Sequence, residues 1–177
     1  MVKHTTPTQS SGRLGRLRCC QALVLCLTAP LVASAEVFMA RATSVSDGDT
    51  LWVQPADGSA ARKLRLQGMD APEICQRAGP QSRAALQALV ASAPLRVTVQ
   101  YYDVYGRGLA RIQVRQRDVG ALMVRSGHAW SYRWRRNPGP YAVEEAAARQ
   151  ARVGLFAQKT PEPPGDFRKR NGSCYQP

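Results

Sequence analysis

A chain of 177 residues, 44% of them hydrophobic, has the material for one domain with its own core plus tails, and not for two. Its 25 lysines and arginines stand against 12 acids, a formal net charge of +13 that draws polyanions, so nucleic acid or an anionic surface is the natural partner. Two histidines, His4 and His128, leave a multi-histidine metal site and a Ser/His nucleophile system poorly supplied.

Arg13, Arg16 and Arg18 precede an apolar run from Cys19 to Val32 that ends in Ala33-Ser34-Ala35. Positive region, hydrophobic region and small-residue site come in the order of a secretory signal peptide, predicted over 1–35 with cleavage after Ala35. The run falls short of the roughly 20 apolar residues of a comfortable membrane span. An uncleaved anchor is the alternative; otherwise the product is secreted or periplasmic and keeps no membrane attachment. Cleavage removes four cations and no acid, leaving 21 cations, 18 of them Arg, against 12 acids, a net +9. It also removes Cys19, Cys20 and Cys26. The remaining Cys75 and Cys174 most simply form one disulfide in an oxidising compartment, with two free thiols or an intermolecular bond left open.

Val37 to Ser46 and Thr50 to Gln54 flank an Asp-Gly turn signal and predict a hairpin. After a second turn at Asp57-Gly58, Leu64 and Leu66 alternate with Lys63, Arg65 and Gln67, a strand over Arg62 to Gly68 with Arg65 on its polar face. Gly79-Pro80 opens a helix to about Ala93, closed by Pro94. Leu95, Val97, Val99 and Tyr101 alternate with polar neighbours in the clearest strand, and Ala110, Ile112 and Val114 mark a fifth. Asp118 is placed to N-cap a short helix through Ser126, stopped by Gly127. A last helix is predicted from Tyr141 to Val153, and the Pro-rich basic tail beyond it to drape over the surface. Five short strands with a helix after the third and helices after the fifth predict an α+β, mainly β fold: a five-stranded OB-type barrel with three packed helices. The domain is expected over 36–158, the tail over 159–177.

The chemistry available is carboxylate plus arginine. Hard oxygen ligands select Ca²⁺ or Mg²⁺, which can polarise a phosphoryl oxygen, while guanidinium groups bind the other oxygens and a further carboxylate handles the attacking water. Four motifs supply these groups: Asp47-Gly48-Asp49-Thr50, Arg65 five residues before Asp70, Asp70-Ala71-Pro72-Glu73, and Tyr105-Gly106-Arg107-Gly108. In identity, order and spacing they resemble the staphylococcal nuclease (thermonuclease) family over about Val37 to Ala157.

That resemblance implies an OB-type five-stranded barrel with three helices and calcium-dependent cleavage of DNA and RNA that leaves 3′-phosphate ends. It implies that Asp49 and Asp70, helped by the carbonyl of Ala71, ligate Ca²⁺. Glu73 is expected to position the water, Arg65 and Arg107 to grip the scissile phosphate, and Tyr105 to lie by a terminal phosphate or sugar. Ala71 stands where the family prototype has threonine and Val104 where it has lysine; neither removes a primary catalytic group. Trp130, Tyr132 and Trp134, interleaved with Arg133 and Arg135, suit either base stacking or a packed strand. His128 reads as packing or capping, and the run Arg168-Lys169-Arg170 as a solvated charge run. The expected product is a monomeric nuclease with no stable protein partner; the alternative is a noncatalytic nucleic-acid-binding barrel.

Overall fold

The computed structural model describes Met1, residues 35–91 and 93–172, and Cys174. Residues 2–34, nearly all of the segment 1–35 expected to be a signal peptide, lie outside the described residues, as do Ser92, Ser173 and residues 175–177.

Alternation of apolar and polar residues closes a barrel. Strand β1 (Glu36–Val45) pairs antiparallel with β2 (Thr50–Pro55), and β2 with β3 (Arg62–Leu66). In β3 only Leu64 and Leu66 are buried, because successive side chains point to opposite faces. Gly68, with φ +80°, then turns the chain into the two-residue strand β4 (Met69–Asp70), so the third strand stops at Leu66 and not at Gly68. Helix α1 (Gly79–Val90) follows, with Pro in its first turn, and ends short of the expected Ala93.

Strand β5 (Leu95–Tyr102) pairs with β1 and with β6 (Gly108–Val114), burying Leu95, Val97, Val99, Ala110 and Ile112. A parallel pairing of β6 with β3, Leu64 opposite Gly108 and Leu66 opposite Ala110, joins the two ends of the sheet. Five strands thus form a closed barrel whose inward residues fill one apolar core.

Strand β7 (Arg117–Asp118) folds back antiparallel on the end of β6 and delivers Asp118 as the N-cap of α2 (Val119–Arg125), its carboxylate accepting from the Ala121 amide at 3.0 Å. Strand β8 (Trp130–Ser131) pairs with β4, Asp70 opposite Trp130. Helix α3 (Ala142–Ala151) is shorter than the predicted Tyr141 to Val153; Arg152 ends it in the left-handed region (φ 52°), and a 3₁₀ turn at Gly154–Ala157 buries Leu155 and Phe156.

The tail departs from expectation. It forms a fourth helix, α4 (Pro164–Asn171), where the sequence reading gave three helices and a draped segment. Pro164 is preset for a first helical turn, Asp166 faces the positive end of the helix dipole, and Arg168, Lys169 and Arg170 face the negative end. No apolar stripe announced it, since Pro164 is the only residue of α4 that is fully buried. A disulfide joins Cys174 to Cys75 across 99 residues, with Cα atoms 5.7 Å apart.

Candidate active site

The turn between β1 and β2 is built to aim one carboxylate inward. Asp47 Oδ1 accepts from the amides of Asp49 (3.0 Å) and Thr50 (2.7 Å), the local bond by which aspartate makes a turn of its own. Gly48 is required there: a Cβ would lie 1.9 Å from Ser82 Oγ and 2.7 Å from Ala71 Cβ, so any side chain would push the turn off α1. Asp49 is left 3% exposed, its Oδ1 accepting from Thr50 Oγ1 at 2.9 Å and its Oδ2 from the Ala71 amide at 3.3 Å.

Arg65, on the outward side of β3, reaches both acids of the metal-type pair. Its two terminal nitrogens donate to Asp49 Oδ1 and Asp70 Oδ1, each at 2.8 Å. Asp70 is fixed by the β4–β8 pairing, and three residues on Glu73 sits in a tight loop. The Glu73 amide donates to Gln76 Oε1 (3.2 Å), the Gln76 amide to the Glu73 carbonyl (2.8 Å), and the Gly79 amide to the Gln76 carbonyl (2.7 Å). A Cβ on Gly79 would sit 2.0 Å from the Glu73 carbonyl oxygen, so the loop closes directly onto the start of α1. Gln76, buried and unassigned by the sequence reading, also donates to the Glu162 carbonyl at 2.8 Å and so ties this loop to the tail.

The tail supplies the second cation of the cluster. Arg168 donates to Glu73 Oε1 at 2.7 Å and to Asp70 Oδ1 and Oδ2 at 3.3 and 3.0 Å. Reading Arg168 with its neighbours as a solvated charge run is therefore incorrect. Lys169 and Arg170 do stay near solvent, pairing with Asp166 and Glu162. The usable signal was covalent: pairing Cys174 with Cys75 brings the end of the tail within two residues of Glu73 in sequence.

Burial sets the electrostatics of the innermost carboxylate. Burial, opposed by Arg65 and reinforced by the Asp47 charge, pushes the Asp49 carboxyl up from an ordinary 3.8 to about 6. Burial alone would lower Arg65, but Asp49, Asp70 and Asp47 outweigh it and hold its guanidinium above the usual value. Arg168 is raised in the same way, hydrogen bonds to Asp70 and Glu73 prevailing over its burial.

Arg107 and Tyr105 belong to a separate unit. Asp103 Oδ1 accepts from the amides of Tyr105 (3.0 Å) and Arg107 (2.9 Å), and its Oδ2 takes Arg107 Nε at 2.8 Å. Burial would raise the Asp103 carboxyl, but these bonds hold it below the usual range. The Arg107 guanidinium lies 5.3 Å from the centre of the exposed Tyr105 ring. Hydrogen bonds join Asp49, Arg65, Asp70, Ala71 and Glu73 into one cluster; among the described residues Arg107 and Tyr105 are bonded to Asp103 instead. The barrel seam keeps them near, because Arg107 precedes the Gly108 that pairs with Leu64, next to Arg65.

Of the aromatic run, Trp130 is packed, edge-on to Phe156 at 6.0 Å, while Tyr132 and Trp134 are exposed. His128 is half-buried, and burial lowers it from its ordinary value.

A hard divalent cation fits this donor set. Asp49 and Asp70 already converge on one cationic group, both are nearly excluded from water, and carboxylate oxygen is the donor such ions prefer. Among the described residues no three His, Cys, Asp or Glu side chains form a ready cage, so backbone and solvent would complete the coordination.

Comparison with known proteins agrees with this geometry. Residues 63–158 match the model of the family described as staphylococcal nuclease homologue. The chain is 31% identical over 148 residues to a Haemophilus influenzae protein named uncharacterized endonuclease, covering 84% of this chain and 83% of that one. An Escherichia coli protein of the same name is 36% identical over 131 residues, 73% of this chain and 84% of that one. A Shigella flexneri micrococcal nuclease is 31% identical over 160 residues, 84% of this chain and 88% of its own length.

Proposed function

The chain belongs to the staphylococcal nuclease family and is a nuclease, and from that premise we propose an exported, calcium-dependent enzyme that leaves 3′-phosphate ends on DNA or RNA. The observation that carries this reading is the meeting of Asp49 and Asp70 at one guanidinium, with Glu73 linked to Asp70 through Arg168.

Asp49, Asp70 and the Ala71 carbonyl would hold the calcium ion. When bound, such an ion polarises a phosphoryl oxygen and neutralises charge that builds on the displacement transition state. Glu73 orients the attacking water and accepts its proton, a task for a carboxylate held in a rigid loop. Arg65 and Arg107 donate to the equatorial oxygens of the scissile phosphate; Arg107 meets Asp103 through Nε and one terminal nitrogen, and its other terminal nitrogen is not part of that pair. Tyr105, exposed beside Arg107, lies against a terminal phosphate or sugar. Contacts of this kind carry no sequence information, so cleavage is tolerant of base identity.

The signal-like leader and the Cys75–Cys174 disulfide support an oxidising destination, periplasmic or extracellular, for a monomer released by cleavage after Ala35. Incubation of the protein with single-stranded DNA, duplex DNA and RNA, in calcium, magnesium or chelator, followed by end-group analysis, tests the reading. Degradation in calcium, loss in chelator and 3′-phosphate products are expected. Chelator-insensitive cutting or 5′-phosphate products would overturn the calcium mechanism.

A further inference from the structure

The C-terminal helix places a guanidinium where the proposed mechanism needs a metal ion. Arg168 engages both oxygens of Asp70, and Arg65 shares Oδ1, so guanidinium N–H groups already occupy both oxygens of that carboxylate. Arg168 also holds Glu73 Oε1. A divalent ion bound through Asp70 would want those same oxygens and would set two positive centres against each other.

One of the two arginines has to yield, and the packing identifies which. Arg65 springs from a barrel strand and its side chain is 20% exposed, whereas that of Arg168 is 38% exposed. Helix α4 buries only Pro164, and its other ion pairs are local: Lys169 with Asp166, Arg170 with Glu162. Few contacts therefore resist a shift of Arg168, while Arg65 stands on a strand paired on both sides, with β2 and with β6, and is bonded to Asp49 as well as Asp70.

A displaced Arg168 stays close. Cys174, six residues beyond it, is bonded to Cys75, two residues beyond Glu73, so the arginine remains on a short covalent leash over the carboxylates. A tethered competitor of this kind acts at an effective concentration set by its leash, whatever the protein concentration.

We propose that Arg168 is a tethered countercation of this site: it neutralises Asp70 and Glu73 in the cation-free enzyme, and calcium binds by displacing it. The inference rests on the calcium reading above and deepens it, making the C-terminal arm and its disulfide a determinant of calcium affinity. It also accounts for how three carboxylates remain together before a cation arrives.

Calorimetric titration of the full protein with calcium chloride, without nucleic acid, tests this through binding alone. Arg168→Ala is expected to bind calcium roughly five- to thirtyfold more tightly than wild type, the factor that release of one or two partly exposed ion pairs gives. Arg168→Lys should fall between the two, and the Cys75→Ser/Cys174→Ser pair should shift affinity in the same direction as Arg168→Ala. Equal or weaker calcium binding by Arg168→Ala would overturn the inference while leaving the calcium assignment standing. Calcium bound by neither protein would overturn both.

Discussion

Two knots of arginine and carboxylate hold this molecule, and they differ in balance. In one, Glu145 on α3 is 1% exposed and serves three partners: the Ser131 amide at 2.9 Å, Arg133 at 2.6 Å, and Arg149, whose Nε lies at 2.8 Å. A single carboxylate meets two guanidinium groups and a backbone N–H, and Arg149 also lies over the Phe156 ring at 4.3 Å. In the other, Asp49, Asp70 and Glu73 share Arg65 and Arg168, with Asp47 adding its charge to Asp49. Cations outnumber acids in the first knot and acids outnumber cations in the second. The first is a finished bolt between α3 and β8; the second is a site with negative charge to spare, which suits a bound cation.

Exchanging carboxylate for amide in each knot separates the two roles. Glu73→Gln should lower kcat by about 10²- to 10⁴-fold, the range for loss of a positioned general base, and leave the midpoint of thermal unfolding almost unmoved. Steady-state cleavage and thermal melts read both quantities. Glu145→Gln should do the reverse, costing about 2 kcal/mol because charge-assisted bonds to half-exposed arginines become neutral ones, with kcat within about twofold of wild type. Denaturant unfolding measures that loss; a kcat collapse in Glu145→Gln would erase the distinction between bolt and site.

The sequence made the local parts of this arrangement readable. Leu64 and Leu66 around Arg65 announced a strand with one polar face, Asp118 announced a helix start, and Gly127 its stop, because each obeys a rule that spans only a few residues. Four short motifs in register likewise named Asp49, Arg65, Asp70 and Glu73 together. What stayed hidden depends on distant partners. Strands β4 and β8 are two residues each and exist only because Met69 faces Ser131 and Asp70 faces Trp130. The same pairing buries Trp130, splitting an aromatic run whose alternation suggested one common face. Helix α4 has no apolar stripe to betray it, and a cation aimed at two buried acids has the same composition as one aimed at water. Glu145 escaped notice for the same reason, as one acid among the polar residues of a predicted helix.

The smallest of the expected effects asks whether burying an acid of this site is felt in the fold itself. Asp49 has a folded-state value near 6 against an ordinary 3.8, so its titration favours the folded protein below pH about 4, and that advantage is lost as pH rises through about 6. Above that window the ionised, buried carboxylate is a burden, and Asp49→Asn should stabilise the calcium-free protein by on the order of 1–2 kcal/mol at pH 8. Near pH 4 both side chains are neutral, and the difference should shrink toward zero. Denaturant unfolding in chelator at the two pH values reads the change directly. Adding calcium should invert the order, because wild type gains binding energy that the amide forgoes. Destabilisation by Asp49→Asn in chelator at pH 8 would mean that Arg65 and Arg168 already balance the cluster, which would place it with Glu145 as a structural bolt.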